Sequence, residues 1–171
     1  MNLIKTNRSI AWLTPSQQQA LQVLRGLFRV PCCVNLYGPA GVGKTFLAWI
    51  LADTLGYIYL THSALLRETE PLSAPGVIVD NMEPGRQAHR DILKLLSFRG
   101  IHYAVLVTRQ VLQDYTYCVG LTLTPADQAQ VRENLARIGI FRPAVDSPNL
   151  WGLVNPALAG GHNARGIASD P

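Results

Sequence analysis

Hydrophobic residues recur along this chain with two spacings, one typical of helices and one typical of buried strands. Helical spacing follows Thr14 and Pro15, an N-cap residue with proline at the first helical position, and predicts a first helix over about residues 15–29. A short apolar run then occupies residues 32–37 between a proline and a glycine, which is typical of a buried strand in a parallel sheet. The pattern therefore places a helix directly before a buried strand.

Helices and strands continue to alternate after this strand. Helical spacing that starts near Lys44 ends at Gly56, two further helices end near Gly100 and Gly139, and a single helical turn is predicted at residues 64–67. The remaining apolar runs predict four more strands, at residues 57–60, 77–80, 103–107 and 119–123. This alternation predicts a three-layer α/β fold in which helices flank both faces of a five-stranded parallel sheet.

The composition changes after residue 140. Residues 141–171 contain several prolines and glycines, and their apolar residues form one short patch at residues 150–158. We predict irregular structure with one short helix and a frayed end there. The predicted organisation is therefore a core at residues 1–140 followed by a short C-terminal segment.

Composition and charge predict one domain with a weakly charged surface. A chain of 171 residues with 48% hydrophobic residues can bury one core, and its charged fraction of 15% is below the roughly 25% of average globular chains. Apolar surface is then available to a protein partner or a second subunit. The formal net charge of +4 is compatible with nucleic acid, but the basic residues form no block, and a phosphate ligand would account for much of the excess.

The cysteines and the apolar runs favour a protein of the cytoplasm. Three cysteines form neither an even disulfide set nor a CxxC metal pair. No apolar run approaches the roughly 18 residues that span a bilayer, and the first residues lack the core of a signal peptide. We therefore expect a soluble, cytoplasmic protein without membrane attachment.

One segment carries a specific phosphate-binding pattern. The sequence GPAGVGKT at residues 38–45 matches G-x-x-x-x-G-K-[ST] and lies between a predicted strand and a predicted helix. Its glycines let backbone N–H groups surround phosphate oxygens, while Lys44 would reach the β and γ phosphates and Thr45 would bind Mg²⁺. The predicted nucleotide-binding residues are Gly38, Pro39, Ala40, Gly41, Val42, Gly43, Lys44, Thr45 and Phe46.

An acidic residue at the end of a neighbouring strand completes the predicted Mg²⁺ site. Asp80 follows the apolar residues 77–79 and is expected to hold the water shell of the ion that Thr45 binds. Many P-loop ATPases have a glutamate directly after this aspartate, but this chain has Asn81, and the nearest carboxylate is Glu83. Three alternatives stay open: Asn81 orients water without accepting its proton, Glu83 reaches the site, or hydrolysis is slow.

Other polar residues are candidates for contact with the γ-phosphate. Thr108 and Arg109 end the fourth predicted strand, where a polar side chain can lie between the acidic residue and the phosphates. Arg165 lies in a glycine-rich segment and could approach phosphate from the far side, the alternative being a solvated arginine.

These residues together resemble the AAA+ and STAND branch of the P-loop NTPases over about residues 15–140. The resemblance rests on the segments LYGPAGVGKTFLA, VIVDNME, VLVTR and GLTLTPAD. It implies a P-loop NTPase fold with ATP and Mg²⁺ as cofactors, nucleotide and Mg²⁺ binding by Lys44 and Thr45, Asp80 as the acidic strand residue, and Thr108 or Arg109 as the first sensor. VDNME and VTR are more similar to STAND signalling ATPases than to ring-forming motors, which usually carry Asp-Glu in place of Asp80-Asn81.

The departures from this family indicate a minimal ATPase. Residues 141–171 would form only a short lid remnant and a flexible tail, and residues 115–118 lack the arginine that ring-forming relatives often carry there. The predicted function is an ATP-binding, ATP-hydrolysing switch that acts on a protein partner within a larger assembly. The alternatives are a DNA-associated AAA+ helper, such as a loader or transposition regulator, and a nucleotide-binding module that has lost hydrolysis.

Overall fold

The computed structural model describes residues 8–68, 73–82, 85–112, 117–141 and 147–154. Within these ranges the chain forms a sheet of β1 (Cys32–Tyr37), β2 (Ile58–Leu60), β3 (Gly76–Val79), β4 (Tyr103–Thr108) and β5 (Tyr117–Gly120). The strands lie in the order β2-β3-β4-β1-β5, and every neighbouring pair is parallel. The carboxyl ends of all five strands therefore meet at one edge of the sheet.

Helices connect these strands and cover both faces of the sheet. The helices are α1 (Pro15–Leu27), α2 (Lys44–Leu55), α3 (Leu65–Glu68), α4 (Arg86–Phe98) and α5 (Pro125–Arg137). A short 3-10 helix at Ile10–Trp12 precedes α1, and residues 150–154 are helical. In the described part of the chain, no helix has both the length and the apolar character needed to cross a bilayer.

Side chains of the central strands alternate between two cores. Ile78 and Val105 pack with α1 and α2, whereas Val77, Val79 and Leu106 pack with α3 and α4. The alternation follows from the strand geometry, since successive side chains point to opposite faces. The predicted three-layer α/β fold with a five-stranded parallel sheet is confirmed.

The predicted elements differ from the observed ones mainly at their ends. The fifth strand occupies Tyr117–Gly120 and not residues 119–123, because these four residues pair with residues 34–37 of β1. The backbone N–H of Leu121 then donates to the carbonyl of Tyr37 at 2.8 Å, and the chain leaves the sheet. The first helix ends at Leu27, two residues before the predicted end.

Candidate functional site

A cavity of about 830 Å³ opens at the carboxyl edge of the sheet. Residues at the start of α2 and after the ends of β3 and β4 line its polar part. The 3-10 helix, α5 and residues 150–154 line its apolar part, and the first residues of α1 and α4 also contribute. Ligands of open parallel sheets bind in crevices at this edge, so the cavity lies where the fold favours a site.

The glycines of the loop between β1 and α2 are packed too closely to carry side chains. Gly43, its last residue, has a φ of 87°, and a Cβ at this position would overlap the side-chain amide of Gln17. That amide donates a hydrogen bond to the carbonyl of Gly43 at 3.0 Å. Gln17 also belongs to the capping box that Thr14 forms at the start of α1, so α1 fixes the end of the loop.

Lys44 is the first residue of α2 and folds back over the loop. Its Nζ donates hydrogen bonds to the carbonyls of Gly38 at 2.6 Å and Pro39 at 2.7 Å. Burial lowers the pKa of Lys44, while the Asp80 carboxylate opposes this shift and Arg109 adds to it. A half-buried ammonium next to a second cation favours an anion in the cavity.

Thr45 and Asp80 meet at the polar end of the cavity. The Oγ1 of Thr45 donates to Oδ2 of Asp80 at 2.7 Å, and the phenol of Tyr59 donates to the same oxygen at 2.6 Å. The other oxygen, Oδ1, accepts from the backbone N–H of Asn81 at 2.8 Å. Burial, together with the bond to this carboxylate, raises the pKa of Tyr59. Because Mg²⁺ prefers hydroxyl and carboxylate oxygens, the pair of Thr45 and Asp80 fits a hard cation beside a phosphate.

Asn81 occupies the position where a catalytic base is expected in many P-loop ATPases. Its φ is 49°, a left-handed conformation that asparagine adopts more readily than most residues. The residue is exposed and lines the cavity, and its Nδ2 donates to the carbonyl of Thr61 at 3.2 Å. A neutral amide cannot accept a proton from water. Glu83, the alternative carboxylate, lies outside the described residues.

The hydroxyl of Thr108 already has two hydrogen-bond partners within the protein. It accepts a hydrogen bond from the Nδ2 of Asn35 at 2.8 Å and donates its proton to the carbonyl of Gln110 at 2.6 Å. Asn35 is fully buried, and its Oδ1 accepts from the backbone N–H of Leu112 at 2.9 Å. Arg109, in contrast, is exposed and lines the cavity.

The other end of the cavity is apolar and adjoins the glycine loop between β1 and α2. Its lining includes Trp12, Val131, Leu135, Leu150 and Val154. The buried amide of Asn134 lies among them and donates to the carbonyl of Trp12 at 2.9 Å. The backbone N–H of Leu150 donates to the carbonyl of Gly41 at 2.8 Å. An apolar pocket next to a loop of this kind fits a heteroaromatic base.

Comparison with solved structures identifies the fold. The replication initiator DnaA bound to AMPPCP and single-stranded DNA superimposes with a TM-score of 0.59 over 87% of this chain, at 13% identity. AMPPCP-bound DnaA from Aquifex aeolicus gives 0.57 over 89% at 14% identity, and the RuvB Holliday junction branch migration motor of Thermotoga maritima gives 0.51 over 72% at 20% identity. This chain has the P-loop NTPase fold. It spans 60% and 64% of the two DnaA chains and 49% of RuvB.

Sequence comparison gives shorter matches than the comparison of structures. No protein-family profile matches the chain. Cytidylate kinases of Thermosipho melanesiensis and Thermosipho africanus are 50% and 53% identical to it over 38 residues. This stretch is 22% of the chain, and it covers 18% and 17% of the two kinases. The similarity to the kinases is therefore local, whereas the structural similarity to DnaA extends over most of the chain.

The fold brings most of the predicted site residues together. Those that line the cavity are Ala40, Gly41, Gly43, Lys44, Thr45, Phe46, Asp80, Asn81, Thr108 and Arg109. Gly38 and Pro39 contribute the carbonyls that hold Lys44, and Val42 is buried in the core beside α1 and α2. Glu83 and Arg165 lie outside the described residues, so their predicted roles stay predictions.

The sequence did not point to several residues that surround this candidate site. Gln17 supports the loop, Tyr59 binds Asp80, and Asn35 binds Thr108. Gln17 has a local signal, since a threonine three residues before a glutamine is typical of a capping box. Tyr59 and Asn35 lie within apolar strands and belong to no motif, so their contacts follow only from the register of the sheet.

Proposed function

We propose that this chain binds ATP with Mg²⁺ and hydrolyses it as an AAA+-type ATPase of the STAND kind, acting as a nucleotide-dependent switch on a protein partner. The observation that supports this most strongly is the 2.7 Å hydrogen bond between Thr45 and Asp80, beside a glycine loop that carries the half-buried Lys44. This bond joins a hydroxyl to a buried carboxylate, and the ammonium of Lys44 belongs to the lining of the same cavity. This combination suits a phosphate paired with a hard cation.

Phosphate binding would rest on the loop and on the start of α2. The backbone N–H groups of residues 41–45 and the ammonium of Lys44 would hold the phosphate oxygens. Thr45 would bind Mg²⁺ directly, and Asp80 would hold water molecules of its shell. A Mg²⁺ ion bound there supplies positive charge that neutralises the phosphate oxygens.

The base would occupy the apolar end of the cavity. Trp12, Val131 and Leu150 would contact its faces and edges, and the amide of Asn134 would be the nearest polar side chain. An adenine base is supported by AMPPCP, the nucleotide named for two DnaA structures of the same fold.

The geometry favours Arg109 over Thr108 as the residue that senses the γ-phosphate. Thr108 already donates its single hydroxyl proton to the carbonyl of Gln110, so contact with a phosphate would require that bond to break. Arg109 is exposed at the cavity, and its charge contributes to the lowered pKa of Lys44, the ammonium that we propose binds phosphate. An arginine there would stabilise negative charge that develops in the transition state.

Activation of the attacking water would be weak at Asn81. This side chain can orient water by hydrogen bonding, but it cannot remove its proton. The proposed ATPase is therefore slow unless Glu83 reaches the water. Slow turnover suits a switch, since the nucleotide-bound state then persists long enough to act on a partner.

Residues 147–154 offer a connection from the nucleotide to the protein surface. The carbonyl of Gly41 accepts from Leu150, and the side chain of Asn149 lies where a Cβ on Gly41 would stand. A change in the loop on nucleotide binding would therefore act directly on this segment. Trp151 in the same segment is 41% exposed and could carry the change to a partner.

Calorimetric titration with ATP and Mg²⁺ tests the proposal. The wild-type protein is expected to bind, and Lys44→Ala to lose tight binding while it stays folded, because the ammonium provides charge to phosphates and lies outside the core. Lys94→Ala, which removes an exposed lysine of α4, is the matched control. Unchanged ATP affinity in folded Lys44→Ala would contradict the proposal.

A second candidate function is that of a DNA-associated AAA+ helper. It is supported by the DnaA structure that holds single-stranded DNA and by the net charge of +4. Binding of a single-stranded oligonucleotide across a salt series separates this candidate from a protein-directed switch. Contacts to DNA phosphates predict an affinity that falls steeply as the salt concentration rises, and undetectable binding at low salt would exclude this candidate.

A further inference from the structure

Tyr59 makes a contact with Asp80 that the proposed ATP site does not itself require. Its phenol donates to Oδ2 of Asp80 at 2.6 Å, which is within the range of charge-assisted bonds between hydroxyls and carboxylates. The same oxygen accepts from Thr45 at 2.7 Å. Two hydroxyls from different elements thus converge on one carboxylate oxygen.

The register of the sheet explains how Tyr59 reaches this carboxylate. Tyr59 of β2 is paired with Ile78 of β3, so both side chains lie on the same face of the sheet. Asp80 is two residues beyond Ile78, and side chains two residues apart along a strand share a face. The resulting diagonal is about 8 Å, because neighbouring strands lie ~4.8 Å apart and two residues rise by ~6.6 Å. A tyrosine side chain is long enough to span this distance, and a shorter hydroxyl side chain is not.

Packing fixes the phenol in this direction. The ring of Tyr59 lies edge-on to the indole of Trp49 on α2, with centroids 6.1 Å apart. Trp49 follows Thr45 by four residues, so both lie on the same side of α2. The helix that carries Thr45 therefore also holds the ring that restrains Asp80.

We propose that Tyr59 is a positioning residue that orients the Asp80 carboxylate for Mg²⁺, and so sets the Mg²⁺ concentration at which ATP binds tightly. This inference rests on the proposed function. Mg²⁺ requires near-ideal octahedral geometry, so rotation of a carboxylate that holds its water shell weakens the site. Residues that hydrogen-bond to groups around a metal typically change its affinity by about 10- to 100-fold when they are removed.

The test compares Tyr59→Phe with Tyr57→Phe. Tyr59→Phe keeps the ring against Trp49 and removes only the hydroxyl, whereas Tyr57 packs against Phe28 and Tyr103 away from Asp80. ATP affinity is measured by calorimetry in EDTA and across a Mg²⁺ series, with thermal unfolding as the check on folding. Tyr59→Phe is expected to raise the Mg²⁺ midpoint by about 10-fold or more and to leave the affinity in EDTA unchanged. Tyr57→Phe is expected to match wild type in both conditions.

A second variant shows whether Tyr59 acts through Asp80. In an Asp80→Asn background, Tyr59→Phe is expected to have no further effect on the Mg²⁺ midpoint, because the carboxylate that it orients is gone. An additive effect in this background would overturn the inference.

The remaining outcomes separate the inference from the proposed function. A normal Mg²⁺ midpoint in Tyr59→Phe, or an equal loss of affinity with and without Mg²⁺, would overturn the positioning role alone. Failure of the wild-type protein to bind ATP at any Mg²⁺ concentration would overturn the proposed function and this inference with it.

Discussion

Asp127 of α5 accepts two hydrogen bonds from Ser16 of α1, one from the backbone N–H at 2.8 Å and one from Oγ at 2.7 Å. The backbone N–H and hydroxyl of Thr124 also donate to Oδ2 of Asp127, each at 2.7 Å. Burial by itself would raise the pKa of Asp127, but the bonds from Thr124 and Ser16 outweigh it and lower the pKa below its ordinary value of 3.8. One buried carboxylate thus caps α5 and ties it to α1.

Asp127→Asn is expected to destabilise the protein by about 1.5–3 kcal/mol near neutral pH, the range for hydrogen bonds to a charged group. Because the pKa of Asp127 is lower in the folded state, its contribution is fully present above the unfolded pKa and is lost as pH falls through the folded pKa. Urea unfolding at pH 7 and at stepwise lower pH measures the difference from wild type, which should shrink below about pH 4. Asp91→Asn, a half-buried carboxylate on α4, is the control. A difference that does not vary with pH would mean that the charge of Asp127 contributes nothing.

Arg109→Ala is expected to lower the rate of ATP hydrolysis by on the order of 10²-fold while the ATP affinity changes little. The physical reason is that a cation at the γ-phosphate matters most when charge develops in the transition state. Single-turnover hydrolysis and calorimetry separate the two effects, with Arg90→Ala on the exposed surface of α4 as the control. Equal losses of ATP and ADP affinity would argue against a sensing role for Arg109. An unchanged hydrolysis rate together with unchanged affinity would make Thr108 the better candidate for the residue that senses the γ-phosphate.

Asn81→Glu is expected to raise the single-turnover rate by about 10-fold or more, because a carboxylate directly after Asp80 could accept the proton that an amide cannot. This gain lies within the roughly 10² to 10⁴ that a well-placed general base contributes. The measurement is phosphate release from a saturated enzyme in a single turnover.

Glu83→Gln is the companion experiment. If wild-type hydrolysis is brisk, Glu83→Gln abolishes it and Asn81→Glu has no effect, then Glu83 is the base and the proposal of a slow switch is wrong.

Gly43→Ala is expected to abolish tight ATP binding, whereas Gly56→Ala is expected to leave it intact. Both glycines have positive φ, 87° and 67°, so alanine costs about 1–2 kcal/mol of backbone strain at either position. A Cβ would meet the Gln17 amide at Gly43, whereas a Cβ at Gly56 would extend into open space. Calorimetry and thermal unfolding together distinguish the two effects. Equal ATP affinity in both variants would show that the packing of Gln17 against the loop is unimportant for binding.

Local patterns predicted the layers of the fold and the polar end of the site because each depends on nearby residues. The glycine loop requires particular residues at fixed spacing, and Asp80 ends an apolar run, so both can be recognised without knowledge of the neighbouring strands. The end of β5 was predicted less well. Its bounds depend on which residues of β1 hydrogen-bond with it, and this pairing is set by the assembled sheet.

The contacts that hold the site in place depend on the tertiary structure. Tyr59 reaches Asp80, and Asn35 reaches Thr108, along the same kind of diagonal, from a residue on one strand to a position two residues beyond its partner on the next. The order of the strands in the sheet was not predicted from the sequence. Neither of these two contacts could therefore be predicted. Leu150 lies in a segment for which only a short helix was expected, and its bond to Gly41 has no sequence signal.

The three tryptophans of this chain, Trp12, Trp49 and Trp151, all line the same cavity, although they belong to the 3-10 helix, α2 and the helical residues 150–154. The indole fluorescence of the protein therefore arises entirely from the walls of the proposed nucleotide site. A ligand that fills the cavity, or a rearrangement that opens it, changes the polarity and quenching around these rings. The intrinsic fluorescence of the unlabelled protein therefore reports on the cavity. A single Trp→Phe substitution removes the signal of one tryptophan and leaves the signals of the other two.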